Sequence, residues 1–259
     1  MTLHSEPLDA LPLWLLMVLT CAGSGLALEA GYRYGLRRHN HTPEKKSPVG
    51  TIVGAVLALF AFLLAFTFSS AGSRYEARRQ AVLDEANSIG TTYLRAQLLH
   101  EPQRAESLKL LREYIDVRVE GVRQDRIPET IRRSEALHVA LWAQARKEAE
   151  AHPTPVTATY INALNQMIDI HSTRVQVGIT NRVPTTIWLG LYALSFLGMA
   201  SVGYQTGLSG TRRSPAMAIL VVAFASVMFL IADLDRPGAG FITISQDALT
   251  SLRESMKSE

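Results

Sequence analysis

The run from Val49 to Ser73 contains no charged residue and no proline, and it constrains this chain more than any other stretch. At 1.5 Å of rise per residue, roughly 20 apolar residues cross ~30 Å of hydrocarbon. The run passes straight into RYEARRQAVLDEANSIGTTYLRAQLL, and no proline occurs between Val49 and Leu99. A membrane helix is therefore expected to continue into water as one long stalk, residues 74–99.

Three further segments read as spans: Leu11 to Leu28, Thr185 to Tyr204 and Pro215 to Ala232. Each lacks Asp, Glu, Lys and Arg. In hydrocarbon an uncompensated charge costs at least ~2.5 kcal/mol, so such blocks mark membrane helices. Trp14, Trp188 and Tyr204 near their ends fit interfacial anchors. The expected fold is all-α: four transmembrane helices with a helical-bundle extramembrane domain inserted between spans 2 and 3. The boundaries expected are a first membrane hairpin over 1–73 (spans about 11–32 and 49–73) and a helical body over 74–183. A second hairpin over 184–235 (spans about 185–205 and 214–233) and a C-terminal tail over 236–259 follow.

Composition excludes several functions. A net charge of +3 without a clustered basic face gives no nucleic-acid footprint. No zinc spacing, phosphate-binding glycine loop or nucleophile elbow stands out, so no catalytic, cofactor-binding or metal residue is nominated and no enzyme is expected. The single cysteine, Cys21, cannot form an internal disulfide and reads as an apolar span residue. Its VLTC setting resembles a lipoprotein cleavage box, but the first ten residues supply no basic n-region.

Arg33, Arg37, Arg38, Lys45 and Lys46 follow the first span, and Arg212 and Arg213 lie between the last two. The opposite N-tail holds Glu6 and Asp9 and no Lys or Arg. The positive-inside rule puts the short loops in the cytoplasm and the helical body outside, in the periplasm of a bacterial inner membrane.

Apolar residues in the body recur at alternating spacings of three and four. Val82, Ala86, Ile89 and Tyr93 form one seam; Leu108, Leu111, Ile115, Val119 and Val122 form another. Ile161, Leu164, Ile168, His171 and Val175 form a third, and Leu137, Leu141 and Ala145 suggest a helix between. This period is expected of helices packed at shallow angles. Breaks fall at His100–Gln103, Gln124–Pro128 and His152–Pro155, because proline disfavours a helical residue before it.

If the stalk and the helix ending near Pro184 run antiparallel, residues whose numbers sum to roughly 256 lie opposite each other. Arg182 is then expected near Arg74 and Glu76, with Arg78 nearby. Arg174 falls near Asp84 and Glu85, and Asp169 and His171 near Asn87. The resulting polar layer has two readings: ion pairs that fix register, or a gating, metal or proton-sensing site. At the end of the fourth span, Asp233, Asp235 and Arg236 read either as a local salt bridge to Arg236, Arg74 or Arg78, or as part of an ion path. Gly50, Gly54, Ala55, Ala58 and Ala61 make a small-residue stripe on the second span, suited to close helix packing or an oligomer face. Gly190, Gly198, Gly203 and Gly207 do the same around the third.

Four segments carry a resemblance: Leu63–Leu99, LNQMIDIHSTR over Leu164–Arg174, RVPTTIW over Arg182–Trp188, and DLDRPGAGFITIS over Asp233–Ser245. In that order they resemble the bestrophin-like bacterial membrane proteins, a four-span family defined by sequence. The resemblance implies kinship with bestrophins, pentameric anion channels whose pore neck is lined by the second span. Leu59, Phe62, Phe66, Ser69 and Ser70 offer a comparable face, with lipid contact or helix packing as the other use of it. Bestrophins place their large helical region in the cytoplasm, whereas the charge count here places it outside. No acidic cluster corresponds to their calcium clasp. The expected function is an oligomeric ion channel or channel-like pore, partnered by lipid, by copies of itself and by ions. The alternative is a non-conducting, membrane-anchored structural or envelope-sensing module that binds a partner through its helical body.

Overall fold

The computed structural model describes residues 11–41, 46–121, 126–236 and 240–258. The N-tail acids Glu6 and Asp9, Lys45, Val122, Gln124 and the Pro237–Ala239 part of the fourth family segment lie outside them. The described residues are mostly helical, and none of them forms a strand. In chain order the helices are α1 (Leu13–His41), α2 (Lys46–Ala96), α3 (Gln103–Glu120), α4 (Ile127–Ala151) and α5 (Pro155–Val175). A π-helical turn (Gln176–Thr180) precedes α6 (Thr185–Leu208), α7 (Pro215–Asp235) and α8 (Asp247–Ser258). By length and composition α1, α2, α6 and α7 can each cross a membrane.

The chain divides into two compact units. The first comprises residues 1–73 and 182–236, and the second 74–181 and 237–259. The 51-residue α2 contributes to both.

In the first unit α1 packs most extensively against α6. Two glycine pairs set that contact, Gly31 and Gly35 on α1 and Gly203 and Gly207 on α6. A Cβ on Gly31 would sit 1.9 Å from the Ala200 carbonyl oxygen, and one on Gly203 would sit 2.0 Å from that of Leu28. Only hydrogen fits where the backbones approach this closely. Polar side chains continue the seam: the Ser24 and Ser195 hydroxyls lie 3.2 Å apart, and those of Thr20 and Tyr192 3.4 Å apart. Gly190 faces open space, so of the expected third-span glycines Gly203 and Gly207 make the close approach.

The hairpin between α6 and α7 closes through local chemistry. Gly210 takes φ +66°, a left-handed conformation natural to glycine, and ends α6. Ser214 caps α7 by accepting the Ala216 N–H, with Pro215 preset at the first helical position. This hairpin meets the α1 exit at one end of the unit. Arg213 grips Glu29 through two hydrogen bonds of 2.7 and 3.1 Å, and Tyr32 donates to the Thr211 carbonyl. Arg33 and Arg213 therefore lie at the same end of this unit, both on Glu29.

In the second unit the expected seams supply much of the core, but Leu108, Val119, Ile161 and Ile168 are only partly buried, and Tyr160 and Met167 take the buried face of α5. Val82, Ala86, Ile89 and Tyr93 of α2 are buried with Leu111 and Ile115 of α3, Leu137, Leu141 and Ala145 of α4, and Leu164 and Met167 of α5. The stalk helix stops at Ala96, three residues before its expected end. Leu98 and Leu99 instead bond three residues back, to Arg95 and Ala96, a tightened last turn ahead of Pro102. Pro155 starts α5 behind the Thr154 cap, which accepts the Thr157 N–H. The C-terminal segment is more than the tail expected of 236–259. It forms α8 and places Leu249 and Met256 in this core. Arg112 donates to the Met256 carbonyl and to the Tyr93 hydroxyl, pinning the α8 end to α2 and α3.

Candidate functional site

Within the first unit α2 has two opposite faces. Val49, Val53, Phe60, Leu64, Thr67 and Ala71 are buried. At 100° per residue, Leu59, Phe62, Phe66 and Ser69 fall on the other side. Leu59, Phe62 and Phe66 are 55%, 68% and 63% exposed, Ser69 is exposed, and Ser70 is half-buried at the edge. The face carries no charge from Ile52 through Ser73. Ala55, Ala58 and Ala61 are exposed too, and a Cβ on Gly54 would meet nothing within 4 Å. So most of the small-residue stripe of α2 is not used inside one chain. Among the four spans α2 is the most open, with 22% of its most apolar window buried against 39% for α7.

At the other end of α7, Asp235 is a two-point clamp. It accepts from the Arg182 guanidinium at 3.1 Å and from the Val183 N–H at 2.9 Å. Both groups precede α6, so the carboxylate ties the α6 entry to the α7 exit. Asp233 and Arg236 are buried alongside and make polar contacts of their own. Arg182 thus pairs with Asp235 and not with the stalk residues that the sequence register predicts.

The polar layer of the second unit centres on Glu85, which is fully buried. Arg118 reaches Glu85 Oε1 at 2.8 Å and Arg174 reaches Oε2. The Tyr114 hydroxyl donates to Oε1 at 3.3 Å, and His171 Nδ1 lies 3.9 Å from the same oxygen. Gln246 accepts from Arg174 at 2.9 Å. Along α2 and α5, Arg174 and His171 meet Glu85, and Arg95 donates to the Thr159 carbonyl. Asp84 and Asn87 instead line a groove of about 260 Å³ with Ser88, Thr91, Gln166 and Ile170. Asp169 is exposed, Arg74 half-buried, and Arg78 buried with partners of its own.

Arg118, Tyr114 and His138 belong to this centre and were missed. The signal was present. Arg118 follows Leu111 and Ile115 at seam spacing, and His138 precedes Leu141 and Ala145 likewise. A charge or imidazole on an apolar seam implies a buried partner. The rings of His138 and His171 meet edge-on at 4.8 Å. Burial, then the neighbouring cations, lower both histidines to about 4. Burial raises the Tyr114 phenol to about 12 and lowers Arg174 to about 10. The layer is thus one carboxylate held by two guanidiniums among neutral rings.

A second cluster in this unit joins His100, just past α2, to Glu148 and His152 at the end of α4. His100 Nδ1 is 2.8 Å from Glu148 Oε1, and His152 Nδ1 is 3.4 Å from it. Burial opposes the Glu148 charge, yet hydrogen bonds from His100 keep its carboxyl below the usual range.

A family model described as the Bestrophin-like domain matches residues 22–249. The chain belongs to the bestrophin-like family. Solved structures share the fold of this bestrophin-like chain. A Klebsiella pneumoniae bestrophin homologue with a leucine-to-threonine substitution superposes at TM-score 0.68 and 14% identity, covering 95% of this chain and 98% of its own. The same homologue with an aspartate-to-alanine substitution gives 0.66 and 12%, covering 95% and 97%. A crystal structure described as a membrane protein, with a glycine-to-alanine substitution, gives 0.67 and 13% with the same coverages. No curated protein matches in sequence. The family and the four apolar helices make this a multi-pass membrane protein.

Proposed function

We propose that this chain is one subunit of an oligomeric ion channel, with the exposed face of α2 turned toward a central pore. The observation that carries the reading is that face: uncharged, lined by Leu59, Phe62, Phe66 and Ser69, and opposite the side that packs in the chain. Phenyl rings repeated around an axis make a narrow apolar neck, which gates by dewetting. The open Gly54–Ala61 stripe supports close approach by a neighbouring subunit. Family membership and the resemblance to bestrophins favour the same reading. In it, the second unit is an extramembrane bundle built from the segment between spans 2 and 3 together with the C-terminal helix α8. The shared basic end of α1 and the α6–α7 loop supports a cytoplasmic position for those loops and a periplasmic one for the bundle.

Purified protein in planar bilayers tests this. Expected are discrete currents whose conductance rises in Phe62→Ala, and disulfide cross-links between subunits in Phe62→Cys on a Cys21→Ser background. Silent bilayers beside a conducting control overturn the reading in favour of a non-conducting module acting through residues 74–181.

A further inference from the structure

We propose that His100, Glu148 and His152 form a binding site for a borderline divalent metal ion, zinc in the first place. Their ligand atoms, one from each residue, all lie within 4.8 Å of one another. Zinc held tetrahedrally at ~2.0–2.1 Å from nitrogen and oxygen sets its ligand atoms roughly 3.4 Å apart. The 3.4 Å between His152 Nδ1 and Glu148 Oε1 meets that spacing. The 2.8 Å between His100 Nδ1 and the same oxygen is a hydrogen bond, which a small rotation of the exposed His100 ring opens.

Three observations separate this trio from an ordinary surface ion pair. The Glu148 side chain is only 1% exposed, although its partners are 56% and 39% exposed. Its Oε2 is buried and accepts no hydrogen bond. A buried carboxylate with an unused oxygen beside two imidazoles lacks a full charge partner, and a cation supplies one. The imidazoles also stack at 3.8 Å between ring centroids with both Nδ1 atoms turned to the same oxygen. Two imidazolium ions so placed would repel, whereas two neutral rings with their protons moved to Nε2 present both Nδ1 lone pairs to one ion.

The backbone builds the arrangement. Glu148 and His152 are one turn apart at the α4 terminus, where the His152 N–H still donates to the Glu148 carbonyl. His100 arrives from the turn that ends α2, and its own N–H points to Glu148 Oε1 at 3.4 Å. Imidazole with carboxylate suits zinc, nickel or copper and not calcium or magnesium, which take oxygen shells. The exposed histidine edges leave an entry path and a remaining position for water. An ion there would cross-link the α2–α3 and α4–α5 turns. The site does not depend on conduction.

The test uses the full chain without a polyhistidine tag, in detergent and stripped with EDTA. Calorimetric titration with zinc chloride should show one saturable site per chain, and cobalt(II) should develop the visible absorption of a low-coordinate nitrogen–oxygen site. His152→Asn and His100→Gln should each weaken zinc binding at least ~10-fold, while their unfolding midpoints without metal stay near that of the parent. Zinc should raise the parent's midpoint and not theirs. No saturable zinc binding overturns the proposal. So does undiminished binding in both histidine variants, or equal binding of calcium.

Discussion

The two units of this protein hold themselves together by different means, although Asp235 and Arg182 bury a charge pair in the first as well. In the first, α1 and α6 touch through glycines and paired hydroxyls, and large side chains such as Leu26, Phe62 and Leu189 are left exposed. In the second, large side chains converge on one core, and charges are buried within it: Glu85, Arg118 and Arg174. The contrast follows from solvent. Lipid gives apolar side chains no reason to hide, so a membrane unit gains by close backbone approach. Water drives apolar groups together, and such a core can then enclose ions if every partner is present. Side-chain volume should therefore matter most in one unit and charge pairing in the other.

The largest expected effect is in the charge centre. Glu85→Ala leaves Arg118 and Arg174 buried without their carboxylate and should cost about 3–5 kcal/mol, read as a lowered unfolding midpoint. A loss no greater than that of an exposed acid would break the comparison. Next is Gly203→Val, which must push α6 off Leu28 and should cost about 1–3 kcal/mol. Gly54→Ala, with open space around it, should stay within about 0.5 kcal/mol. Equal effects at the two glycines would mean that α1–α6 contact is not what holds the membrane unit.

Acid should strike the second unit selectively. Burial lowers His138 and His171 to about 4 in the folded chain, against 6.5 for an ordinary imidazole. Between those values the unfolded chain binds more protons, so stability rises with pH. The contribution of the neutral rings is complete above about 6.5 and is lost as pH falls to about 4. A thermal-unfolding series over that window should show the fall, and His138→Gln with His171→Gln should flatten it. An unchanged slope in the double variant would remove the histidines as its cause. The smallest effect is Arg79→Ala: its pair with Glu76 is 3.5 Å long and more than half exposed on both sides, so under about 0.5 kcal/mol is expected. A larger loss would show that surface charge also shapes this unit.

The sequence made the four spans, the seams of the bundle and the α2–α5 register legible, because each is a periodic pattern within one segment. The α1–α6 contact was not legible. Gly31 and Gly35 stand beside Arg33, past the apolar run, and their partners are some 170 residues away. Helix α8 was passed over because Leu249, Leu252 and Met256 are too few to advertise a helix; packing on Tyr93 and Arg112 stabilises it instead. Of the polar layer, Glu85, His171 and Arg174 followed from register, while Arg118 and His138 were hidden by counting only apolar residues. The His100–Glu148–His152 cluster escaped because only Glu148 and His152 are neighbours in sequence, and metal motifs are sought as local spacings.

The glycine contact between α1 and α6 also sets a schedule for synthesis. After α1 is made, 143 residues, 42 to 184, must be added before the first residue of α6. At about 5–20 residues per second that is roughly 7–30 s. Throughout that interval Thr20 and Ser24 sit in or near lipid without the Tyr192 and Ser195 hydroxyls that meet them in the finished protein. A nascent chain stalled before Thr185 should therefore leave α1 open to the quality-control machinery, and stalling after Leu208 should close that window; equal proteolysis of α1 in both would show that the helix needs no partner.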